Sequence, residues 1–178
     1  MRFEGPGIFE RWPPCPIKWI SPLGSQEPRG SDTAVRRSWF EKSLGTKLST
    51  RGCTIHLKTR VTSISGGVAH FVGAGPLGTD SISFEKILDF REVDKNKPKW
   101  QGAVSREEDS VEGHASGKRP DGTTELWWKS KRPPGRKWLQ TMEWHGQNPT
   151  TSLKVNIEAG LSKAKELVDT IIQNPPGQ

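Results

Sequence analysis

The sequence predicts an α+β domain, with an antiparallel sheet, an extended proline-rich arm at the N-terminus and a C-terminal helix packed on the sheet. Three observations carry this expectation. Apolar and polar residues alternate from Cys53 to Ser63 and resume in "VAHFV" from Val68, the period of half-buried strands. Pro6, Pro13, Pro14, Pro16, Pro22 and Pro28 fall within residues 1–30, fixing φ and removing backbone donors too often for a helix or a central strand. Near the other end, Leu161, Ala164, Leu167, Val168, Ile171 and Ile172 form an apolar stripe at helical spacing.

Taken in order, residues 1–30 read as an arm. Its Phe3, Ile8, Phe9, Trp12, Ile17, Trp19 and Ile20 are apolar enough to lie against the body. Residues 31–178 read as a single α+β domain. Ser31 or Asp32 is placed to cap a helix carrying Val35, Trp39, Phe40 and Leu44, which Gly45 and Gly52 interrupt. The strand from Cys53 turns at Gly66-Gly67 and returns through Val68–Val72. "SISFEKILDF", from Ser81, leans to strand because its apolar run is short and starts with residues that favour a pleated surface. Residues 95–118 are polar and charged and read as a long loop. "TTELWWKSK" and "KWLQTMEWHG" read as strands flanking the turn Pro133-Pro134-Gly135. Leu153, Val155 and Ile157 alternate as a further strand before the C-terminal helix, which Pro175-Pro176 stops.

Composition narrows the classes of function. The length of 178 residues suits one domain, and a hydrophobic fraction of 31% implies long irregular stretches. A formal charge of +7 favours anionic partners: nucleic acid, phosphorylated cofactors or acidic lipids. Cys15 and Cys53 are too few for a disulfide scaffold, and neither they nor His56, His70, His114 and His145 show metal-ligand spacing. No apolar run approaches the ~18 residues of a membrane span, and residues 1–23 lack the apolar core of a signal peptide. A cytoplasmic protein is therefore expected.

Two segments carry candidate chemistry. Gly73, Gly75 and Gly78 fit G-x-G-x-x-G, and Asp94 follows about 20 residues later, where a dinucleotide site places its ribose-binding acid. Such a site needs a strand before the glycines and a helix starting within them. Pro76-Leu77-Gly78 followed by Thr79-Asp80 is equally ordinary turn chemistry, so a hairpin loop remains open at this point.

The second segment runs from Lys118 to Lys137. Lys118, Arg119, Lys129, Lys131, Arg132, Arg136 and Lys137 outnumber Asp121 and Glu125, with Trp127 and Trp128 interleaved and Trp138 following. Cations that neutralise phosphates and indoles that stack on unpaired bases suit single-stranded nucleic acid. The bland alternative is a hairpin whose tryptophans face a core and whose basic residues face water.

"RRSWFEKSLGTKLSTRGCTIHLKTRVTSISGGVAHFVGAG" together with "SISFEKILDF" resembles the middle segment of FAD-dependent oxidoreductases of the aromatic-ring hydroxylase and carotenoid-cyclase type. In that family an Arg and a short helix precede a strand, a T-R-V-T-x-I stretch, a hairpin and a strand ending in an acid. The matching positions are Arg36 or Arg37, Trp39, Phe40 and Leu44, then Gly52, Ile55, Leu57, Thr59, Arg60, Val61 and Ile64, then Ile87, Leu88 and Asp89. The resemblance covers about residues 35–90. It implies a flavin- or nicotinamide-dependent oxidoreductase acting on a small-molecule substrate, with FAD or NAD(P) as cofactor. It also implies that Gly160, in "IEAGLSKAKELV", lets a helix N-terminus approach the flavin. No phosphate-binding fingerprint precedes the helix, and "FREVD" stands where the family carries a glycine motif, so the resemblance is to a truncated or diverged member. A basic nucleic-acid-binding module and a non-catalytic interaction subunit are the alternatives.

Overall fold

The computed structural model describes residues 2–3, 5–20, 27–73, 78–90, 96–106, 112–134 and 136–173. In chain order its elements are β1 (Arg2–Phe3), α1 (Arg37–Ser49), β2 (Thr59–Ser65), β3 (Val68–Gly73), β4 (Thr79–Ser83), β5 (Lys99–Arg106), β6 (Ala115–Lys118), β7 (Thr123–Trp128), β8 (Gln140–His145) and α2 (Ser152–Gln173). The α+β expectation holds: two antiparallel sheets are accompanied by two helices, one of them C-terminal. The chain divides into two units, the first comprising Met1–Lys47 and Val93–Ser162, the second Leu48–Glu92 and Lys163–Gln178. No described helix is long and apolar enough to cross a membrane.

In the first unit the sheet order is β1-β8-β5-β7-β6, antiparallel except where two-residue β1 joins β8. The central strand, β5, lies inside the stretch 95–118 that reads as a loop in the sequence, and β6 lies there too. That expectation is corrected for a physical reason. A strand buried on both faces loses the apolar-polar alternation by which strands are recognised, and β5 runs Trp100, Gln101, Gly102, Ala103, Val104, Ser105, with four of the six at most 4% exposed and Gly102 buried as well. Gly102 sits between Trp127 and Met142 in register. A Cβ there would lie 2.7 Å from the Trp127 ring, so the glycine is what lets the indole cross β5.

Both faces of this sheet are covered. On one, Trp100, Val104, Ala115, Trp127 and Met142 pack with Ile8 and Ala34. On the other, Ala103, Leu126 and Trp128 pack with half-buried Trp138. Residues 5–20 are thus bedded into the unit, Ile8, Phe9, Cys15 and Ile20 being buried in its core clusters. Phe9 N donates to Thr33 O and Val35 N to Gly7 O, while Thr33 N and Ala34 N both donate to Lys118 O on β6. This extended pairing explains why α1 starts at Arg37 and not at Ser31 or Asp32. Asp32 instead closes a turn, its carboxylate accepting from Arg29 N at 2.6 Å. Gly45 is accommodated within α1.

The segment Thr151–Gly160, read as a strand, forms the first part of α2 from Ser152 onward. Leu153 and Ile157 are four residues apart and pack together with Phe9, Ile20, Val35 and Phe40, while Val155 turns outward. The same letters fit both periods, and the apolar partners on α1 and the arm decide for the helix.

The second unit holds the sheet β2-β3-β4. Gly66 and Gly67, at φ +57° and +74°, supply the two left-handed residues of a tight hairpin turn. The expected strands are shorter than the alternation suggests: residues 53–58 and 84–90 are irregular. Phe71 is buried, with the His56 ring stacked 6.0 Å away.

Candidate functional site: an arginine-lined cleft

The site grows out of a short sequence in the first unit, Arg119-Pro120-Asp121-Gly122-Thr123. Proline presets φ, aspartate ties its own turn and glycine supplies positive φ. Here Gly122 stands at φ +76°. Asp121 Oδ1 accepts from Thr123 N at 3.0 Å and Thr123 Oγ1 at 2.6 Å. The turn closes through Gly122 N to Arg119 O and Arg119 N to Thr123 O. It joins β6 to β7 and fixes where Arg119 enters the fold.

Arg119 is drawn inward by Glu125, which lies on β7 at 0% exposure. A carboxylate taken from water costs several kcal/mol unless it is paired and fully hydrogen-bonded. Glu125 meets that demand with four donors. Oε2 accepts from Arg119 Nε at 3.0 Å and from Arg119 Nη2. Oε1 accepts from Trp127 Nε1 at 2.7 Å and from Gly7 N at 2.9 Å. The ion pair, the indole and residues 5–20 are fastened at one point.

Beside this pair opens a cleft of about 370 Å³ lined by Arg36, Val104, Arg119, Asp121, Thr123, Leu139 and Gln140. Arg36 immediately precedes α1, its carbonyl accepting from Trp39 N and Phe40 N, and its guanidinium lies 5.3 Å from the centre of the Trp39 ring. Arg36 Nε is buried and has no hydrogen-bond partner. An orphaned donor on a charged group costs about 1–3 kcal/mol or more; Nε is closed off, and it is the half-buried Arg36 side chain as a whole that lines the cleft. Val104 and Leu139 contribute apolar wall, linked by Leu139 N donating to Val104 O at 2.9 Å.

The residues singled out in the sequence lie elsewhere. Gly73 ends β3 and Gly78 precedes β4, the two joined by Gly73 N donating to Gly78 O at 2.7 Å. The strands that these two glycines adjoin are antiparallel, and no described helix begins at either glycine. Gly75 and Asp94 lie outside the described residues. Gly160 is interior to α2, with open space where a Cβ would be and no helix start beside it. Gly73 and Gly78 thus sit at adjoining ends of two antiparallel strands, and Gly160 lies inside a helix.

In the basic segment, Trp127 and Trp128 are buried in the sheet, and their Nε1 atoms are taken by Glu125 and by Glu112 O. As folded, neither indole has a face to offer a base. Lys129, Lys131, Arg136 and Lys137 are exposed. Lys129 lies 5.7 Å from the centre of the Trp100 ring. Arg132 is half-buried, with its N donating to Gln101 Oε1.

Arg36 and Arg119 entered the sequence reading only as members of the flavoprotein-like pattern and of the basic run. The available signal was the proline-aspartate-glycine turn between two strands, which would have placed Arg119 at a hairpin. Compared with protein-family models, curated proteins and solved structures, the chain matches none.

Proposed function

We propose that the first unit binds a small anionic molecule in the arginine-lined cleft and that the chain acts as a binding module. The observation that carries this reading is half-buried Arg36, without an acidic partner among the described residues, in a cleft also walled by Arg119. A volume of about 370 Å³ falls within the range of small-ligand sites. The lining supplies donors and an apolar wall for holding a molecule. Its one carboxylate, on Asp121, is committed through Oδ1 to the Thr123 turn. Thermal unfolding in the presence of acetate, benzoate, sulfate and phosphate tests the reading, because a ligand that binds the native state raises the midpoint. At least one anion is expected to stabilise the native protein and to lose that effect in Arg36→Gln. Equal shifts in both proteins for every anion would remove the cleft as the receptor.

A second reading, an oxidoreductase-like role with FAD or NAD(P), is favoured by the order of elements over residues 37–83. A helix, a strand containing Thr59-Arg60-Val61-Thr62-Ser63-Ile64 and a hairpin follow one another there, as the resemblance implies. A visible absorption spectrum of the freshly isolated protein tests it: flavin bands support an FAD protein, and a colourless preparation removes FAD.

A further inference from the structure

We infer that the cleft selects a monocarboxylate carrying a short apolar body over a dianionic phosphate; this rests on the anion-binding reading above. The argument is one of charge balance. Arg119 spends Nε and Nη2 on Glu125 Oε2, so its charge is already matched inside the protein. Arg36 has no acidic partner among the described residues and keeps an unsatisfied buried donor. Arg36 is thus the lining cation without an ion-pair partner among the described residues, in a cleft whose Asp121 carboxylate already offsets one positive charge, and its planar fork matches the two oxygens of a single carboxylate. A dianion would bring a second negative charge that no lining cation balances, next to the Asp121 carboxylate. Thr123 and Gln140 are neutral and add no charge.

The remainder of the ligand is read from the opposite wall. Val104 is 3% exposed and Leu139 is 54% exposed. One forms the cleft's inner surface and the other a side chain that gains by being covered. A chain of a few methylenes laid against them removes apolar area from water at ~25 cal/mol per Å². A carboxylate at Arg36 with hydrocarbon toward Leu139 satisfies both.

Isothermal titration calorimetry at about pH 8, where a phosphate monoester is dianionic, compares hexanoate, hexyl phosphate and hexanol on the full chain. Hexanoate is expected to bind about tenfold or more tightly than either, and Arg36→Gln to lose about tenfold or more in hexanoate affinity. Leu139→Asp, at an exposed position, places a like charge against the ligand and is expected to weaken hexanoate while the thermal midpoint stays near that of the native protein. This second variant keeps the test decisive if Arg36→Gln unfolds. Tighter, Arg36-dependent binding of hexyl phosphate overturns the carboxylate assignment and leaves the anion site standing. Equal binding of hexanol overturns the charge argument. Binding of neither anion in an Arg36- or Leu139-dependent way overturns the anion site itself.

Discussion

Arg119 donates through both Nε and Nη2 to one carboxylate oxygen of Glu125, and the two side chains are 3% and 0% exposed. The partner oxygen is committed to Gly7 N and Trp127 Nε1, so removing the carboxylate strands an ion and two neutral donors together. Glu125→Ala is expected to destabilise the first unit by about 3–5 kcal/mol. The pair replaced jointly by apolar residues, Arg119→Met with Glu125→Leu, is expected to cost much less than the sum of the single changes, because no bare charge remains. A double-mutant cycle by urea unfolding measures the difference.

Two glycines give opposite expectations. At Gly7 a Cβ would stand 1.8 Å from Val35 O, in a residue whose N donates to Gly7 O across that contact. Gly7→Ala forces the arm away from Val35 and is expected to cost about 1–3 kcal/mol or more. Gly160 has open space at its Cβ within α2, so Gly160→Ala is expected to stabilise the helix by about 0.5–1 kcal/mol. Denaturant midpoints of the two variants check both signs.

The tryptophans of the basic segment belong to the core. Trp127→Ala is expected to cost about 3–5 kcal/mol, whereas Lys131→Ala, at an exposed position, should change stability by no more than about 0.5 kcal/mol. If single-stranded nucleic acid associates with this surface, the contact is electrostatic. Its affinity should then fall steeply with salt and leave the buried indole fluorescence unchanged, which electrophoretic mobility shifts at two salt concentrations and the emission spectrum of the complex check separately.

The two cysteines are expected to differ in reactivity. Cys53 is exposed and Cys15 is buried, and burial raises the Cys15 thiol above its ordinary value of 9.0. A maleimide should label Cys53 quickly and Cys15 slowly, as mass spectrometry over time would show. The raised pKa also has a consequence for stability. The stabilisation is fully present below the unfolded thiol's pKa and is lost as pH rises from there through the folded value, since only the unfolded chain ionises in that window. Between about pH 8 and pH 10 the native protein should lose more stability than Cys15→Ala, measured by thermal unfolding of both.

Much of the architecture could be read from local pattern. Gly66-Gly67 between alternating segments gave the β2–β3 hairpin, since two adjacent glycines supply the positive φ that such a turn requires. Trp127 and Trp128 fell on a strand in the sequence and in the fold, and the helical stripe at Leu161–Ile172 lies on α2. What escaped were features decided at long range. β5 is a strand because β7 and β8 flank it, not because its own residues alternate. Val155 breaks the strand pattern only once Leu153 and Ile157 have found Phe40. Glu125 and Gly7 are 118 positions apart, and no local window could link a glycine in a proline-rich stretch to a buried acid. Arg36 and Arg119 likewise meet at one cleft only in the folded first unit, which no local window reads.

Lys118 receives the amides of Thr33 and Ala34 on its carbonyl and gives its own to Thr33 Oγ1 at 2.9 Å. At Gly117 a side chain would collide with Thr33 O. The end of β6, the flanking strand of the larger sheet, is hemmed by the molecule's own early residues, which occupy main-chain groups that a neighbouring molecule would otherwise zip onto. Fibril growth by strand recruitment has no foothold there while that hem stays in place, and proteolytic loss of the early residues would remove the safeguard together with the clamp on Glu125.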